Sequence, residues 1–422
     1  MRINYKSLFQ NDFFYNVIKI SASTILSAIA IAIALPIITL IFSADELGKY
    51  QLLISVITVF GVISCFKYEM AIVLPKEDSA AGKIYNLCLY ALLVFCTILA
   101  FVLYFTSGLP LKWINAENLI VSYWLIPTGV LFFGFFEIIK SGLLRKKLFN
   151  EFSQARLYQV LFTQILMITF GYLSPTLLSM FLAFVFGHII SSALFIKKSI
   201  ISNKKKQNIK ILEIAQRFKK FPTFNTPMVF SNTLSNELPV FFLATYFSSE
   251  QLGYYMLANR LIIIPMNLIG TAINKVYFQK ASEYFNNDKN LIMPLYINTT
   301  KKLIAFGLIP LAVLLLLSPK IVSFVFGNKW ADAGVMMQIL SIGAFFKFIT
   351  SPISTTFTIL NKQEISFYIT IFSLLFRFLT MLYFHESLIL MLYALSASSA
   401  AYYMIYHIFV YRLLMKIPKI NK

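Results

Sequence analysis

Five cationic side chains stand where an apolar sequence should exclude them: Lys19, Lys67, Arg260, Lys347 and Arg377 all fall inside long hydrophobic runs of this 422-residue chain. On insertion scales a charge at the centre of a membrane helix costs ~2.5–3.5 kcal/mol, so each needs a partner, a route to the interface, or a ligand. Lys19 lies about two turns from the inner end of its run and can snorkel. Lys67 is followed by Glu69, which leaves structural anchoring and ligand contact both open. Arg260 sits about two turns below the outer end of its run, while Lys347 and Arg377 lie deepest, where snorkelling is hardest. The acids at comparable depth are Glu237 and, closer to the inner side, Glu137. Pairing therefore leaves a cationic surplus, and an interior of that kind attracts a phosphate-bearing ligand from the membrane. Helix-to-helix pairs and carbonyl contacts are the alternative reading of each residue. By depth alone, Glu237 and Glu137 are the candidates for coupling to a proton or sodium gradient.

Elements able to hold charges in this way must be membrane helices. The chain is 59% hydrophobic and 13% charged, against about 25% charge in an ordinary soluble domain. The runs lack the alternation of a barrel, so the expected fold class is an all-α membrane protein. Twelve runs are long enough to span: 13–41, 50–73, 84–105, 119–143, 157–172 and 177–196, then 221–247, 253–276, 303–326, 335–360, 365–384 and 388–411. The first follows Arg2 and Lys6 as a signal peptide would, but it far exceeds an h-region of roughly 7–15 residues and is read as a retained helix.

Charge placement orients the spans. With the amino terminus inside, 28 of the 37 Lys and Arg residues fall in or beside inner segments, four fall outside and five lie within spans. Both termini are thus expected in the cytoplasm, with anionic headgroups rather than nucleic acid beside the basic stretch 197–220. That stretch divides the chain into an N-terminal six-helix lobe, 1–196, a basic linker, 197–220, and a C-terminal six-helix lobe, 221–422. The outer loops are too short to hold a catalytic domain. Cys65, Cys88 and Cys96 lie in apolar runs without metal spacing, and His188, His385 and His407 do not cluster. No P-loop, GxGxxG, HExxH or GxSxG is present, which leaves no basis for a nucleotide-driven pump, a hydrolase or a metal site.

The halves also repeat. Asp45-Glu46-Leu47-Gly48-Lys49-Tyr50-Gln51-Leu52 matches Glu250-Gln251-Leu252-Gly253-Tyr254-Tyr255-Met256-Leu257 at an offset of 205. Gly is expected to make the tight turn and Tyr an interfacial anchor. Asn16, Lys19, Ser23 and Ser27 share the spacing of Asn225, Met228, Asn232 and Asn236 at an offset of 209, so the first span should be one turn longer than the seventh. Six spans separate the copies, which makes the repeat parallel. Pro36, Pro127, Pro239, Pro265, Pro310 and Pro352 interrupt spans and permit bending.

The stretch Lys67-Tyr68-Glu69-Met70-Ala71-Ile72-Val73-Leu74-Pro75-Lys76 resembles the signature of polysaccharide-biosynthesis membrane proteins of the Wzx flippase type. Phe221-Pro222, Leu238-Pro239, Leu252-Gly253, Tyr255, Leu257-Ala258, Arg260, Pro265 and Gly270 are similar to that family, as are Phe326-Gly327, Trp330, Ala333-Gly334 and Pro352. The resemblance implies a multidrug/oligosaccharidyl-lipid/polysaccharide exporter fold, two six-helix lobes around a central cavity. It also implies an undecaprenyl-diphosphate-linked oligosaccharide, such as an O-antigen, capsule or exopolysaccharide repeat unit, turned from the inner to the outer leaflet by alternating access. By helix and depth, it places Lys19, Lys67 and Arg260 on the diphosphate, with Lys67 standing where the family commonly has a guanidinium.

The expectation is therefore a bacterial inner-membrane flippase acting without covalent chemistry or cofactor. Lys347 and Arg377 join the diphosphate set, and the polar faces Asn16, Ser23, Ser27, Asn225, Asn232 and Asn236 contact sugar. Membrane lipids and a polysaccharide polymerase are the expected partners. The rivals are a drug or cation exporter of the same fold, whose interior should favour acids, a membrane polymerase or ligase, which usually needs a large outer loop, and a scaffold, which needs no buried charge.

Overall fold

The computed structural model describes residues 5–106, 124–201 and 211–416, and the side chains of 5–21, 212, 267 and 272 lie outside that description. Each of the twelve apolar runs forms a helix of 18 residues or more: α1 Tyr5–Ile41, α2 Ala44–Gly61, α3 Asp78–Phe105, α4 Leu125–Arg145, α5 Phe149–Leu173 and α6 Leu177–Ser199, then α7 Thr226–Tyr246, α8 Ser249–Asn287, α9 Ile292–Phe326, α10 Ala331–Thr350, α11 Gln363–Tyr383 and α12 Leu388–Met415. Nine are apolar enough to cross a membrane on composition alone; the three others are α2, α5 and α7. These carry polar pairs, Asp45-Glu46 and Asn150-Glu151 in the first turns of α2 and α5 and Asn236-Glu237 at the middle of α7. Outward-facing apolar side chains, such as Phe324 of α9 at 90% exposure, suit a hydrocarbon solvent. The chain is a multi-pass, all-α membrane protein.

Two compact units are formed, Met1–Leu252 and Gly253–Lys422. In the first, α5 packs along α1 and α6, α4 lies on α2, α3 and α6, and α7 joins α2. Phe136, Ile139 and Leu143 of α4 fill one core there with Ala155 and Phe195. In the second, α9 packs on α10, and α12 on both α10 and α11. Its core brings Tyr277 and Ile292 against Phe348, Phe357, Tyr406 and Val410.

Two spans are broken rather than continuous. The second helix stops at Gly61, and Phe66 and Lys67 take left-handed backbones at φ 50° and 58° before a single turn, Tyr68–Ala71. A non-glycine residue there costs of order 1–3 kcal/mol, which ends a helix that hydropathy alone would run to 73. The tenth ends at Thr350, where Pro352 enforces the 3-10 turn Ser351–Ile353. Pro36, Pro239, Pro265 and Pro310, by contrast, lie within helices that continue past them.

The repeat is legible at the helix starts. Ser43 accepts a hydrogen bond from Glu46 N at 3.2 Å, and Ser248, at the same 205-residue offset, accepts one from Gln251 N at 3.2 Å. The Gln251 side chain answers with a bond from Ser248 N at 3.1 Å, completing a capping box. Gly48 and Gly253 lie within the first helical turns rather than making a tight turn, and Tyr50 and Tyr255 are buried. The first and seventh helices end in register, at Ile41 and Tyr246, but α1 has 37 residues against 21 in α7, far more than one extra turn.

The basic linker is held at both described ends. Lys146 donates to the carbonyls of Lys198 and Ile200 at 2.8 and 2.5 Å, capping α6, and Tyr68 Oη donates to Ala215 O at 3.2 Å in the short helix Ile211–Arg217.

Candidate functional site

Lys347 and Arg377 stand on two helices of the second unit that both pack against α12. Helix α10 approaches α12 closely because Gly343 has no side chain: its N–H donates to Ser396 Oγ at 3.0 Å, and a Cβ there would stand 2.9 Å from the Ser396 carbonyl oxygen. One turn further along α10 comes Lys347. Arg377, on α11, donates to Ser399 Oγ of α12 at 3.2 Å and lies near enough for its charge to act on Lys347. Both side chains are half-buried. Among the described residues Lys347 makes no ion pair, and the hydroxyl that Arg377 meets on α12 is neutral. Two cations on helices that share α12 as a neighbour raise the local positive potential, which favours an anion. Arg260 is half-buried on α8 of the same unit.

In the first unit the candidates have protein partners. Lys67 Nζ stands 3.1 Å from Glu69 Oε1, so structural anchoring is what the geometry displays, while Glu69 Oε2 is buried with no partner among the described residues. Glu137 is neutralised one turn along α4 by Lys140, at 2.6 Å. Glu237 differs: it accepts from Ser55 Oγ at 2.6 Å, and Ser55 in turn accepts from Gln51 Nε2 at 3.1 Å. This relay ties α7 to α2, and among the described residues Glu237 has no cation within ion-pair distance.

The two polar faces are not equivalent. Ser23 and Ser27 of α1 are buried, and Ser27 Oγ lacks a partner among the described residues. Asn232 and Asn236 of α7 are exposed, and Asn225 is half-buried in the π-helical turn Phe221–Asn225 that precedes α7. The side chains of Asn16 and Lys19 lie outside the described residues.

Sequence reasoning missed Arg145. Counted only as one of the inner positive charges, it closes α4 by gripping the segment between α2 and α3. Its guanidinium donates to the carbonyls of Val73, Pro75 and Lys76 and to Asp78 Oδ1 at 3.0 Å. The available signal was the Val73-Leu74-Pro75-Lys76 stretch itself, an irregular backbone whose carbonyls must be paired by some donor. A planar five-donor fork can meet four acceptors and an ammonium cannot. Arg145→Lys is therefore expected to destabilise the first unit by about 1.5–3 kcal/mol, read as a lower Tm of the detergent-purified protein. An unchanged Tm would show that the grip contributes nothing.

Comparison with known proteins accords with this architecture. Residues 37–335 match the family model described as polysaccharide biosynthesis protein. The teichuronic acid biosynthesis protein TuaB of Bacillus subtilis (strain 168) is 23% identical over 327 residues, covering 74% of this chain but 64% of that protein, so the match spans under two-thirds of the relative's length. Among solved structures, the lipid II flippase MurJ in an inward closed conformation superposes with a TM-score of 0.73 at 17% identity, over 97% of this chain and 94% of that one. An inward-facing multidrug resistance MATE family transporter of the MOP superfamily gives 0.69 at 15% identity, over 94% of each chain. At those identities the likeness is one of fold, and the fold is that of MOP-superfamily transporters. The family match extends from the end of α1 into α10 and takes in the Lys67–Lys76 signature, and the chain belongs to the polysaccharide biosynthesis protein family.

Proposed function

We propose that this chain is a flippase that moves a lipid-diphosphate-linked oligosaccharide from the inner to the outer leaflet of the bacterial cytoplasmic membrane, by alternating access and without covalent chemistry. The observation that carries this reading is that two half-buried cations within apolar helices of one unit, Lys347 on α10 and Arg377 on α11, both stand on helices that pack against α12, where Arg377 donates to Ser399 Oγ. A drug or cation exporter of the same fold has no use for that potential, whereas a diphosphate is drawn to it. The family and the fold support the reading, with undecaprenyl diphosphate as the carrier and both termini cytoplasmic by the positive-inside pattern. A strain lacking the protein should accumulate lipid-linked repeat units in the inner leaflet and lose surface polysaccharide. Normal glycan export in that strain would overturn the assignment. A polysaccharide polymerase is the partner that would consume the flipped product.

Glu237 is the proposed coupling residue. A carboxyl whose described partner is the neutral Ser55 is free of a competing ammonium and can exchange a proton or hold a sodium ion, whereas Glu137 already has the Lys140 ammonium at 2.6 Å. In proteoliposomes, Glu237→Gln is expected to keep the fold and make flipping insensitive to an imposed proton or sodium gradient. A variant that responds like the wild type to both gradients excludes Glu237 from coupling.

A further inference from the structure

Helices α9, α10 and α12 of the second unit enclose a groove of about 670 Å³ that the transport reading does not use. Its body is apolar, lined by Ile304 and Met404, both exposed at the protein surface. Two cations, Lys301 and Arg412, line it as well. Both are exposed, and among the described residues neither forms an ion pair. His407 also lines it, with Nδ1 bonded to Tyr296 Oη at 2.6 Å and Nε2 without a partner among the described residues. From Met404 to Arg412 the groove follows α12 for about 12 Å. By the positive-inside pattern the end of α12 that carries Arg412 lies at the cytoplasmic surface.

We infer that this groove holds an anionic glycerophospholipid of the inner leaflet, with its phosphate on Lys301 and Arg412 and an acyl chain along Ile304 and Met404. The sign of the rim selects the occupant. No acid lines the groove, so a choline or ethanolamine headgroup finds no counter-charge, whereas a net-negative headgroup meets two cations. The chain's own last residues do not suit it, because 417–422 carry Lys419 and Lys422. The site is distinct from the proposed diphosphate site: Phe346 lines the groove, while the next residue, Lys347, does not. A lipid seated there packs against the helix that carries Lys347.

The test uses the purified full-length protein in a neutral detergent, with phosphatidylglycerol, phosphatidylcholine or undecaprenyl phosphate added. Phosphatidylglycerol should raise Tm and persist in native mass spectra, and phosphatidylcholine should do neither. Lys301→Ala with Arg412→Ala should weaken phosphatidylglycerol binding about thirtyfold. Lys302→Ala, which lies in a separate groove between α8 and α9, should not weaken it. Ile304→Trp, which fills the groove and keeps both charges, should abolish the Tm rise. Equal effects of the two phospholipids would overturn the inference, as would an unaffected double variant. Displacement of phosphatidylglycerol by undecaprenyl phosphate would assign the groove to the transport substrate instead. The lipid comparison on the wild type decides these points even if a variant fails to fold, and a failure of this site leaves the Lys347–Arg377 reading untouched.

Discussion

Lys347→Gln combined with Arg377→Gln is expected to stop surface-glycan export while the protein remains folded in the membrane. Each cation offers charge-assisted bonds of about 1.5–3 kcal/mol to a phosphate, so removing both should weaken substrate binding by roughly 3–6 kcal/mol, two to four orders of magnitude. The fold should tolerate the change, because replacing two half-buried cations by neutral amides relieves their desolvation. Exchanging the residues, Lys347→Arg with Arg377→Lys, keeps the charge and should retain partial export. The measurement is surface polysaccharide per cell, normalised to membrane-inserted protein, beside a count of lipid-linked repeat units within the cell. Normal export by the double glutamine variant would remove the anion site from the second unit.

The largest expected loss of stability lies at Gly334. In the first turn of α10 the helix meets the end of α9 backbone to backbone: a Cβ on Gly334 would fall 2.5 Å from Pro319 Cα, 2.9 Å from Pro319 N and 2.9 Å from the Ser318 carbonyl oxygen. None of these atoms belongs to a side chain that can rotate away, so α9 and α10 must separate. Overpacking of this kind costs typically about 1–3 kcal/mol, and backbone atoms place Gly334→Ala at the upper end. A lower Tm and lower yield of membrane-inserted protein are expected. By contrast, Gly270→Ala, whose Cβ would meet only Pro352 Cγ at 3.9 Å, should be near neutral. Equal stability of the two variants would contradict this account of the α9–α10 contact.

The fold was largely legible in the sequence because hydrocarbon imposes one rule on every span. Each of the twelve apolar runs gave a long helix, although two broke off before the run ended, and Lys347, read as deep within its span, stands in the last turn of α10. What could not be read was local. Hydropathy carried the second helix to 73 because Phe66 is apolar, yet the left-handed backbone at Phe66 and Lys67 depends on tertiary packing that no residue type announces. Likewise Glu137 and Glu237 look alike in sequence, two acids at similar depth. Only the Lys140 ammonium beside one and the Ser55 hydroxyl beside the other separate their roles. The shared spacing of Ser23 and Ser27 with Asn232 and Asn236 was visible, but burial of the first pair and exposure of the second was not, since spacing fixes a helix face and says nothing of what covers it.

The grip of Arg145 has a mechanical consequence. By holding three consecutive-stretch carbonyls and Asp78 from the end of α4, it makes the hinge-like connection between α2 and α3 part of the same rigid lever as α4. Any movement that swings α4 must carry the corner between α2 and α3 with it, so within the first unit motion cannot originate at that corner and has to be taken up elsewhere.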